Sequence, residues 1–321
     1  MKNALITALV TASVAAIATP AQAATSQRVM FESNGERLVG DLYLPDDYEA
    51  GDKLSAVVVT GAWTTVKEQM PRRYAIELAD KGYAALTFDY RNWGQSDGDQ
   101  RYLESPAMKI ADIQAAAAFL ATRNEVNAMQ IGGLGICASA GYMAAAVARS
   151  GHLNSLALVA PWLHDQTLVE AIYGGKVGVA TLINTSRQAQ QEFRSTGALA
   201  LVPAAGEPGS DAIMQGAPYY TDPEQEAIPE YDNFFNLASW EGWLTFDSIS
   251  TADELSDTPV RIIHSDAAAI PQGARAFYDR LSGPKSELWL ENVTQFEFYD
   301  QQGAVARATG AVVAHFDESL G

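Results

Sequence analysis

The chain has 321 residues, of which 39 are Asp or Glu and 21 are Lys or Arg, so its formal net charge is −18. A surface this acidic argues against nucleic acid and anionic membranes as partners, because both would repel it. The single cysteine excludes an internal disulfide, and the length suits one large domain with an insertion, or two small domains.

The first 23 residues have the pattern of a secretory signal peptide. Lys2 is positively charged, residues 4–18 are mainly apolar, and Ala21-Gln22-Ala23 forms a small-x-small cleavage site. We therefore expect cleavage after Ala23 and a periplasmic or secreted mature protein without a membrane partner. A transmembrane anchor is the less favoured interpretation, because the apolar run is short and a cleavage motif follows it.

Strand and helix patterns alternate through most of the mature chain. Residues 28–44 alternate apolar and polar side chains around Ser33-Asn34-Gly35, which predicts an antiparallel hairpin. Further predicted strands are 56–60, 84–88, 129–135, 155–160, 259–264 and 287–290. Predicted helices between and after them are 70–81, 107–123, 140–149, 273–281 and 304–316. This pattern predicts an α/β fold with a mainly parallel sheet covered by helices on both faces.

The interval 163–256 breaks this alternation. Its predicted helical stretches are 166–173, 189–193 and 237–246. A long insertion between two sheet strands most simply forms a cap over the carboxyl edge of the sheet, where ligands bind. We therefore expect a core of residues 24–162 and 257–321 with a helical cap at 163–256. Aromatic residues of this region either line an apolar pocket or form the cap's own core: Trp162, Tyr219, Tyr220, Phe234, Phe235, Trp240 and Trp243.

The only cysteine lies in the motif Gly135-Ile136-Cys137-Ala138-Ser139, between an apolar run and a helical segment of small residues. Small residues two positions before and after Cys137 meet the steric requirement of a nucleophile elbow, a tight strand-to-helix turn that exposes the residue at its tip. Backbone N–H groups and a helix N-terminus near such a tip favour a thiolate and a developing oxyanion. The motif therefore predicts Cys137 as a nucleophile.

Two alternatives stay open for this motif. Cys137-Ala138-Ser139-Ala140-Gly141 has the same spacing of small residues around Ser139, although the apolar run that ends at Gly135 favours Cys137. Cys137 also fits as a buried small hydrophobic residue, which is the usual environment of a free cysteine.

Three segments occur in a fixed order along the chain: residues 60–68, residues 88–98 with the pattern D-x-R-x-x-G-x-S-x-G, and the elbow at 135–139. In this order and spacing they resemble the α/β-hydrolase superfamily, and within it dienelactone-hydrolase-like proteins and the acyl hydrolases and polyketide transferases with a cysteine nucleophile. The resemblance covers nearly all of the mature chain. It implies an α/β-hydrolase fold with a helical cap insertion.

The resemblance also implies roles for individual residues. Cys137 matches the nucleophile, and its oxyanion hole would use the backbone N–H of Ala138 and that of Ala62 or Trp63. Each such donor stabilises the tetrahedral oxyanion by roughly 3–4 kcal/mol. The D-x-R-x-x-G-x-S-x-G loop would brace the elbow rather than contact the substrate.

The remaining triad positions depart from the family pattern. In this fold the catalytic acid follows the penultimate strand, where Asp266 is available, although the commoner positions are occupied by Ala267 and Ala268. The histidine would be expected near Gln295. A glutamine amide cannot accept a proton near neutral pH, so Gln295 cannot be the general base.

The chain has four histidines that could replace it. His164 follows the strand next to the elbow strand and enters the cap, so it is the favoured candidate base. His264 ends a strand at the carboxyl edge and is a weaker candidate. His152 is expected to be exposed and His315 to be structural, and the remaining interpretation is that no triad histidine exists.

Together these features predict an exported hydrolase that cleaves an ester, lactone or thioester through Cys137, with Asp266 and His164 completing a non-standard triad or with the triad incomplete. A non-catalytic relative that binds a small apolar ligand is the alternative, and a peptidase ranks last because the chain offers no gating domain. No metal cluster, phosphate loop or cofactor fingerprint occurs in the sequence. We therefore expect a small-molecule acyl substrate, no cofactor and no metal, while the sequence does not indicate the oligomeric state.

Overall fold

A computed structural model of the protein describes residues 25–225 and 227–321. The predicted signal peptide, residues 1–23, lies outside the described residues. Within the described ranges, no helix combines the length and the apolar character that crossing a membrane requires.

The strands belong to one large sheet and two small pairs. In chain order they are β1 (Thr25–Ser33), β2 (Glu36–Leu44), β3 (Leu54–Thr60), β4 (Ala84–Phe88), β5 (Val126–Ile136), β6 (Ser155–Val159), β7 (Leu201–Pro203), β8 (Ala205–Gly206), β9 (Met214–Gln215), β10 (Phe234–Asn236), β11 (Val260–His264) and β12 (Lys285–Trp289). The large sheet has the order β1-β2-β4-β3-β5-β6-β11-β12. Strand β2 pairs antiparallel with β1 and β4, whereas the pairings from β4 to β12 are parallel. The predicted, mainly parallel sheet is confirmed.

The helices, in chain order, are α1 (Met70–Ala79), α2 (Pro106–Ala121), α3 (Ser139–Ala148), α4 (Gln166–Ile172), α5 (Gly175–Thr196), α6 (Trp240–Thr245), α7 (Pro271–Arg280), α8 (Glu297–Asp300) and α9 (Gln302–Leu320). Two adjacent glycines of β5 show that helices cover both faces of the sheet. A β-carbon added at Gly132 would meet Phe316 of α9, and one added at Gly133 would meet Met143 of α3. Since successive strand residues point to opposite faces, α9 and α3 lie on opposite sides of β5.

The opening hairpin is confirmed with its turn. Ser33 is paired with Glu36, which leaves Asn34 and Gly35 as a two-residue connection between β1 and β2. Both have positive φ, 50° for Asn34 and 86° for Gly35. An Asn-Gly pair with positive φ at both residues is the connection whose twist matches the twist of the strands.

The interval between β6 and β11 holds α4, α5 and α6 together with the two small strand pairs β7·β10 and β8·β9. The expectation of a helix limited to 189–193 was too short, because α5 runs from Gly175 to Thr196. Glycines at its start give the segment the composition of a loop. In the structure Gly174 has φ 81° and directs the chain into the helix, and Gly197, with φ 75°, ends it.

Gly135 sets the distance between the elbow strand and helix α3. A β-carbon added there would lie 2.8 Å from the Ala140 Cα and 2.9 Å from the Met143 Cβ, both in α3. We expect Gly135→Ala to lower the free energy of unfolding by about 1–3 kcal/mol, because the helix would have to shift away from the sheet. Urea denaturation measures the change. Gly151→Ala is the matched control, since no heavy atom lies within 4 Å of its added β-carbon, and an equal loss in both variants would contradict the packing argument.

Candidate active site

Cys137 lies at the turn between β5 and α3, at the carboxyl edge of the sheet. Its φ of 57° is in the left-handed region, which residues other than glycine seldom adopt. Backbone hydrogen bonds hold it there: its N–H donates to the Val159 carbonyl (3.1 Å), and its own carbonyl accepts from the N–H groups of Ala140 (3.1 Å) and Trp162 (2.9 Å). The strained residue at this turn is therefore Cys137.

Ser139, the alternative nucleophile, is the first residue of α3 and is fully buried. Its hydroxyl is hydrogen-bonded to the Tyr90 hydroxyl at 3.2 Å. The Ser139 hydroxyl therefore lies in the interior, packed with α3, and not at the tip of the turn.

Cys137 opens on a cavity of about 360 Å³, within the usual size range of small-molecule sites. Most of the lining is apolar or aromatic, and much of it comes from the interval between β6 and β11. The lining residues are Trp63, Cys137, Ala138, Trp162, Ile172, Tyr173, Ile213, Met214, Gln215, Gly216, Ala217, Tyr220, Trp243, Ala269, Gln295, Phe296 and Tyr299.

The structure divides the aromatic residues for which the sequence left two roles open. Three of them, Trp162, Tyr220 and Trp243, line the cavity. Tyr219, Phe235 and Trp240 are buried in the surrounding packing, whereas Phe234 is partly exposed. Both predicted roles are therefore found within the same aromatic set.

Burial is the largest influence on the thiol of Cys137, and it raises the pKa of that thiol. Four polar neighbours oppose it and lower the pKa: the Tyr299 hydroxyl, the backbone N–H groups of Ala138 and Trp63, and the Gln295 side-chain amide. Because the net shift is upward, the group is a neutral thiol at neutral pH. The expectation of a thiolate stabilised by the elbow is therefore wrong, since the cost of burying the charge exceeds the gain from the donors.

The raised thiol pKa predicts slow alkylation of Cys137 at neutral pH. Only the thiolate reacts with iodoacetamide, so the rate constant should rise with pH and reach its midpoint above the ordinary cysteine value of about 8.5. Intact-protein mass spectrometry between about pH 6 and 10 measures this rate, with N-acetylcysteine as the reference thiol. A midpoint below that of the reference would contradict the burial argument.

Two backbone N–H groups lower the pKa of the thiol, as the donors of an oxyanion hole would. They belong to Ala138 and Trp63, whereas the carbonyl of Ala62 accepts a hydrogen bond from the Thr65 hydroxyl at 2.7 Å. Of the two residues that the sequence offered for the second donor, the structure brings the N–H of Trp63 to the sulfur. Both N–H groups are available to a tetrahedral intermediate formed on Cys137.

A buried carboxylate that the sequence analysis missed supports this loop. Glu104 is fully buried, and its Oε2 accepts hydrogen bonds from the Thr64 N–H (3.3 Å) and from Lys109 Nζ (2.9 Å). Its Oε1 accepts from the Tyr142 hydroxyl at 2.8 Å. Thr64 follows Trp63 and has φ 64°, so Glu104 holds the backbone at the strained point of the oxyanion loop.

Gln295 occupies the region after β12 where the family pattern predicts a histidine. Its Oε1 accepts from the Ala269 N–H (2.9 Å), and its Nε2 donates to the Ala160 carbonyl (3.0 Å) and to the Tyr299 hydroxyl oxygen (2.8 Å). These partners fix the amide orientation. The position next to the thiol is thus held by a side chain that donates hydrogen bonds and takes no proton.

Tyr299 is a second group on the sulfur that the sequence analysis missed. It lies in the short helix α8 and is only 2% exposed. Burial, followed by the neighbouring Cys137, raises its pKa well above the ordinary value, so the hydroxyl stays protonated. Gln295 lies in the turn before this helix, so no helical spacing in the sequence indicated that the two side chains meet.

Asp266 does not reach this site. Its side chain is 70% exposed and its Oδ1 accepts a hydrogen bond from Arg275 Nη2 at 2.9 Å. The Arg275 contact also lowers the pKa of the carboxyl. The prediction of Asp266 as the catalytic acid is wrong, because the chain after β11 turns this side chain towards solvent.

His164 is buried, and both of its ring nitrogens have other partners. Nδ1 accepts a hydrogen bond from Trp162 Nε1 (3.0 Å), and Nε2 faces the Trp243 carbonyl (3.1 Å). Since a carbonyl only accepts, Nε2 carries the proton, and burial lowers the pKa of the ring. The prediction of His164 as the base for Cys137 is therefore wrong.

The other histidines are likewise placed elsewhere. Burial lowers the pKa of His264 to about 4, and it packs against Trp289. His315 contacts the Ser155 hydroxyl at 2.9 Å, and His152 is exposed. Across residues 25–225 and 227–321, no three His, Cys, Asp or Glu side chains are gathered as metal ligands would be.

The chain is similar to known proteins along most of its length. It is 26% identical over 249 residues to the acyltransferase drtE of Aspergillus calidoustus, which covers 74% of this chain and 78% of that protein. The crystal structure of protein PA2218 from Pseudomonas aeruginosa matches with a TM-score of 0.83 at 24% identity, over 94% of this chain and 96% of that chain. The α/β hydrolase GrgF from Penicillium matches with a TM-score of 0.79 at 17% identity, over 92% of this chain and 99% of that chain.

No protein-family model matches the sequence. The fold is nevertheless settled by the strand order, the turn at Cys137 and the likeness to GrgF. This chain is a protein of the α/β-hydrolase fold.

Proposed function

We propose that the chain is an acyl-transfer enzyme of the hydrolase type that binds its acyl group covalently to Cys137. The observation that carries this proposal is the sulfur itself, which lies at a strained turn and lines the cavity, and whose pKa is lowered by the N–H groups of Ala138 and Trp63. A nucleophile beside two preorganised donors is the arrangement that acyl transfer requires. The similarity to an acyltransferase supports the same class.

The groups around the sulfur favour a thioester as the acyl donor over an ester or lactone. Cleavage of an oxygen ester expels an alkoxide, which needs a general acid, whereas a thioester expels a thiolate that is a far weaker base. The hydroxyl of Tyr299 and the amide of Gln295 are neutral donors and provide neither an imidazolium nor a carboxylic acid. The chemistry available at Cys137 therefore suits the better leaving group.

The proposed step is balanced by proton transfer between two sulfur atoms. The sulfur of Cys137 attacks the thioester carbonyl carbon, and the oxygen becomes an oxyanion between the Ala138 and Trp63 N–H groups. The carbon–sulfur bond of the donor then breaks, and the proton lost by Cys137 ends on the departing sulfur. The products are S-acyl-Cys137 and a free thiol.

The lining of the cavity favours an apolar acyl group. The cavity that Cys137 lines has aromatic walls formed by Trp63, Trp162 and Trp243. Ile213 and Met214 add aliphatic surface. Burying such a group releases about 25 cal/mol per Å² of apolar surface. A small molecule with an aliphatic or aromatic acyl chain is the proposed substrate, and the predicted leader supports a location of the mature enzyme outside the cytoplasm.

A second candidate is a non-catalytic protein that binds an apolar ligand in the same cavity. The raised thiol pKa and the presence of Gln295 where a base was expected favour it. The two candidates differ in one product, because only the enzyme forms a covalent acyl adduct.

A thioester and an oxygen ester that carry the same acyl group test the proposal. The octanoyl thioester of N-acetylcysteamine and the corresponding oxygen ester are incubated with the protein, and intact-protein mass spectrometry follows the adduct. We expect acylation of Cys137 by the thioester and at least tenfold slower acylation by the ester, because an alkoxide is a much stronger base than a thiolate and therefore the poorer leaving group. Tight binding of both compounds without an adduct would replace the enzyme by the ligand-binding candidate.

A further inference from the structure

The groups at Cys137 leave open how the acyl group departs from the enzyme. Water is a poor nucleophile until a base removes its proton, and a hydrolase normally uses its histidine for that step. Here the side chains on the sulfur are the Tyr299 hydroxyl and the Gln295 amide. Neither is a base at neutral pH, so neither would activate water to attack an acyl group on Cys137.

Tyr299 is placed to move a proton without changing its own charge. Its oxygen accepts a hydrogen bond from Gln295 Nε2 at 2.8 Å, which occupies one lone pair. Tyr299 and Cys137 line the same cavity, and each of the two groups shifts the pKa of the other. The second lone pair can take the thiol proton while the phenol proton passes to another atom in the cavity.

Tyr299 is held rigidly enough for this task. Its ring packs edge-on against Tyr219, with ring centroids 5.2 Å apart, and against Phe296 at 5.7 Å. The Gln295 amide is fixed in turn by the Ala269 N–H and the Ala160 carbonyl. The hydroxyl therefore keeps one position relative to the sulfur.

We propose that the enzyme transfers its acyl group from Cys137 to a thiol rather than to water, with Tyr299 carrying the proton between the two sulfur atoms. This inference rests on the proposed acylation of Cys137. In the forward step the thiol proton of Cys137 moves to the Tyr299 oxygen, and the phenol proton moves to the departing sulfur. Tyr299 is neutral before and after the step.

Microscopic reversibility identifies the acceptor. The path that delivers a proton to the departing thiol also removes one from an incoming thiol at the same place. The sulfur of that thiol attacks the S-acyl-Cys137 carbonyl, its proton passes through Tyr299, and the Cys137 sulfur leaves as a thiol. The incoming and departing groups are both thiols, so a neutral relay suffices, whereas water is a much weaker acid and needs a true base.

Other titratable groups face Tyr299 and define the controls. Tyr220 and Cys137 approach it from the main cavity. On its other side Tyr299 borders a second cavity of about 240 Å³, which is also lined by Glu68, Arg72 and Arg73. Glu68 is the one carboxylate in that lining, and burial raises its pKa. It is therefore the alternative destination for the proton.

The test measures how the acyl group divides between water and added thiol. Wild-type protein, acylated with the octanoyl thioester of N-acetylcysteamine, is mixed with N-acetylcysteine or with buffer, and the products are separated. We expect transfer to the thiol to exceed hydrolysis by at least 100-fold at equal times. Faster release into water, or preferential transfer to an added amine, would overturn the proposal.

The role of Tyr299 is tested by the pH profile of Tyr299→Phe. We expect this variant to lose at least 100-fold in acyl exchange at pH 7 and to approach wild type at high pH, where Cys137 ionises without a relay. Tyr219→Phe, which removes a neighbouring buried phenol, is the control and should keep the wild-type profile. A uniform loss at all pH values, or none, would overturn the relay.

Two further measurements are added. The first tests the relay in the wild-type protein, in case Tyr299→Phe folds poorly, and the second tests the competing proton path. A relay moves two protons at once, so the wild-type exchange rate, plotted against the fraction of D2O in the solvent, should follow a curve. A straight line would overturn the proposal.

Glu68→Gln tests the competing proton path and should keep the wild-type exchange rate. A loss of that rate at pH 7 would show that the proton leaves through the second cavity. If no thioester acylates the wild-type protein, the proposed function itself fails, whereas acylation without thiol transfer refutes only the present inference.

Discussion

Cys137→Ala is expected to abolish the acyl adduct and to reduce thioester turnover by about 1,000-fold or more. The reason is that the sulfur is the atom to which the acyl group becomes attached, and the oxyanion donors alone cannot form that bond. Because Cys137 is the only cysteine of the chain, the variant has no second thiol that could take its place. Intact-protein mass spectrometry and release of free thiol from the donor measure the two effects.

Ser139→Ala is the matched control for this experiment. The Ser139 hydroxyl is buried and hydrogen-bonded to Tyr90, so its removal should cost about 1 kcal/mol of stability. The acyl adduct should form at nearly the wild-type rate. Loss of the adduct in Ser139→Ala together with its retention in Cys137→Ala would reverse the assignment of the nucleophile.

Glu104→Ala is expected to produce the largest loss of stability, about 3–5 kcal/mol in the free energy of unfolding. It would leave Lys109 buried without its partner carboxylate, and breaking one side of a buried ion pair has this cost. The Lys109 Nζ lies 4.5 Å from the centre of the Tyr90 ring, so the surroundings offer partial compensation only. Urea denaturation measures the change.

The double variant Glu104→Gln, Lys109→Met separates charge from packing. Removing both charges should recover most of the lost stability, because a buried ion pair and an apolar replacement of similar size often contribute equally. The rate of acylation should return towards wild type, since the side-chain oxygen of glutamine can still accept the hydrogen bond from the Thr64 N–H next to Trp63. A loss below 1 kcal/mol in Glu104→Ala would contradict the assigned role of the pair.

Local patterns account for what the sequence predicted correctly. The Asn34-Gly35 turn requires positive φ at both residues, which the printed residue types reveal without any tertiary information. The apolar run of 84–88 coincides with β4, because both faces of this central strand are buried. The positions of Gly135 and Cys137 in the turn could be predicted for the same reason, because a tight strand-to-helix turn restricts the residue types that can form it.

The residues that surround the Cys137 sulfur could not be predicted from local patterns. Trp63, Gln295 and Tyr299 are distant in the chain and meet the sulfur only because β3, β5 and β12 end at the same edge of the sheet. The direction of a side chain at such an edge depends on the loop that carries it. That is why Asp266, which lies in the expected loop, turns to solvent and pairs with Arg275.

The charge state of the thiol also depended on tertiary structure. The motif around Cys137 indicates nearby backbone N–H groups, yet it contains no information on how completely the interval between β6 and β11 and helix α8 bury the sulfur. The sequence by itself determined the sheet, the turn and the position of the sole thiol, because these follow from residue types that are adjacent in the chain. Only the tertiary structure decided that this thiol is neutral and is contacted by Tyr299 and Gln295, because burial and long-range contacts are properties of the packed fold.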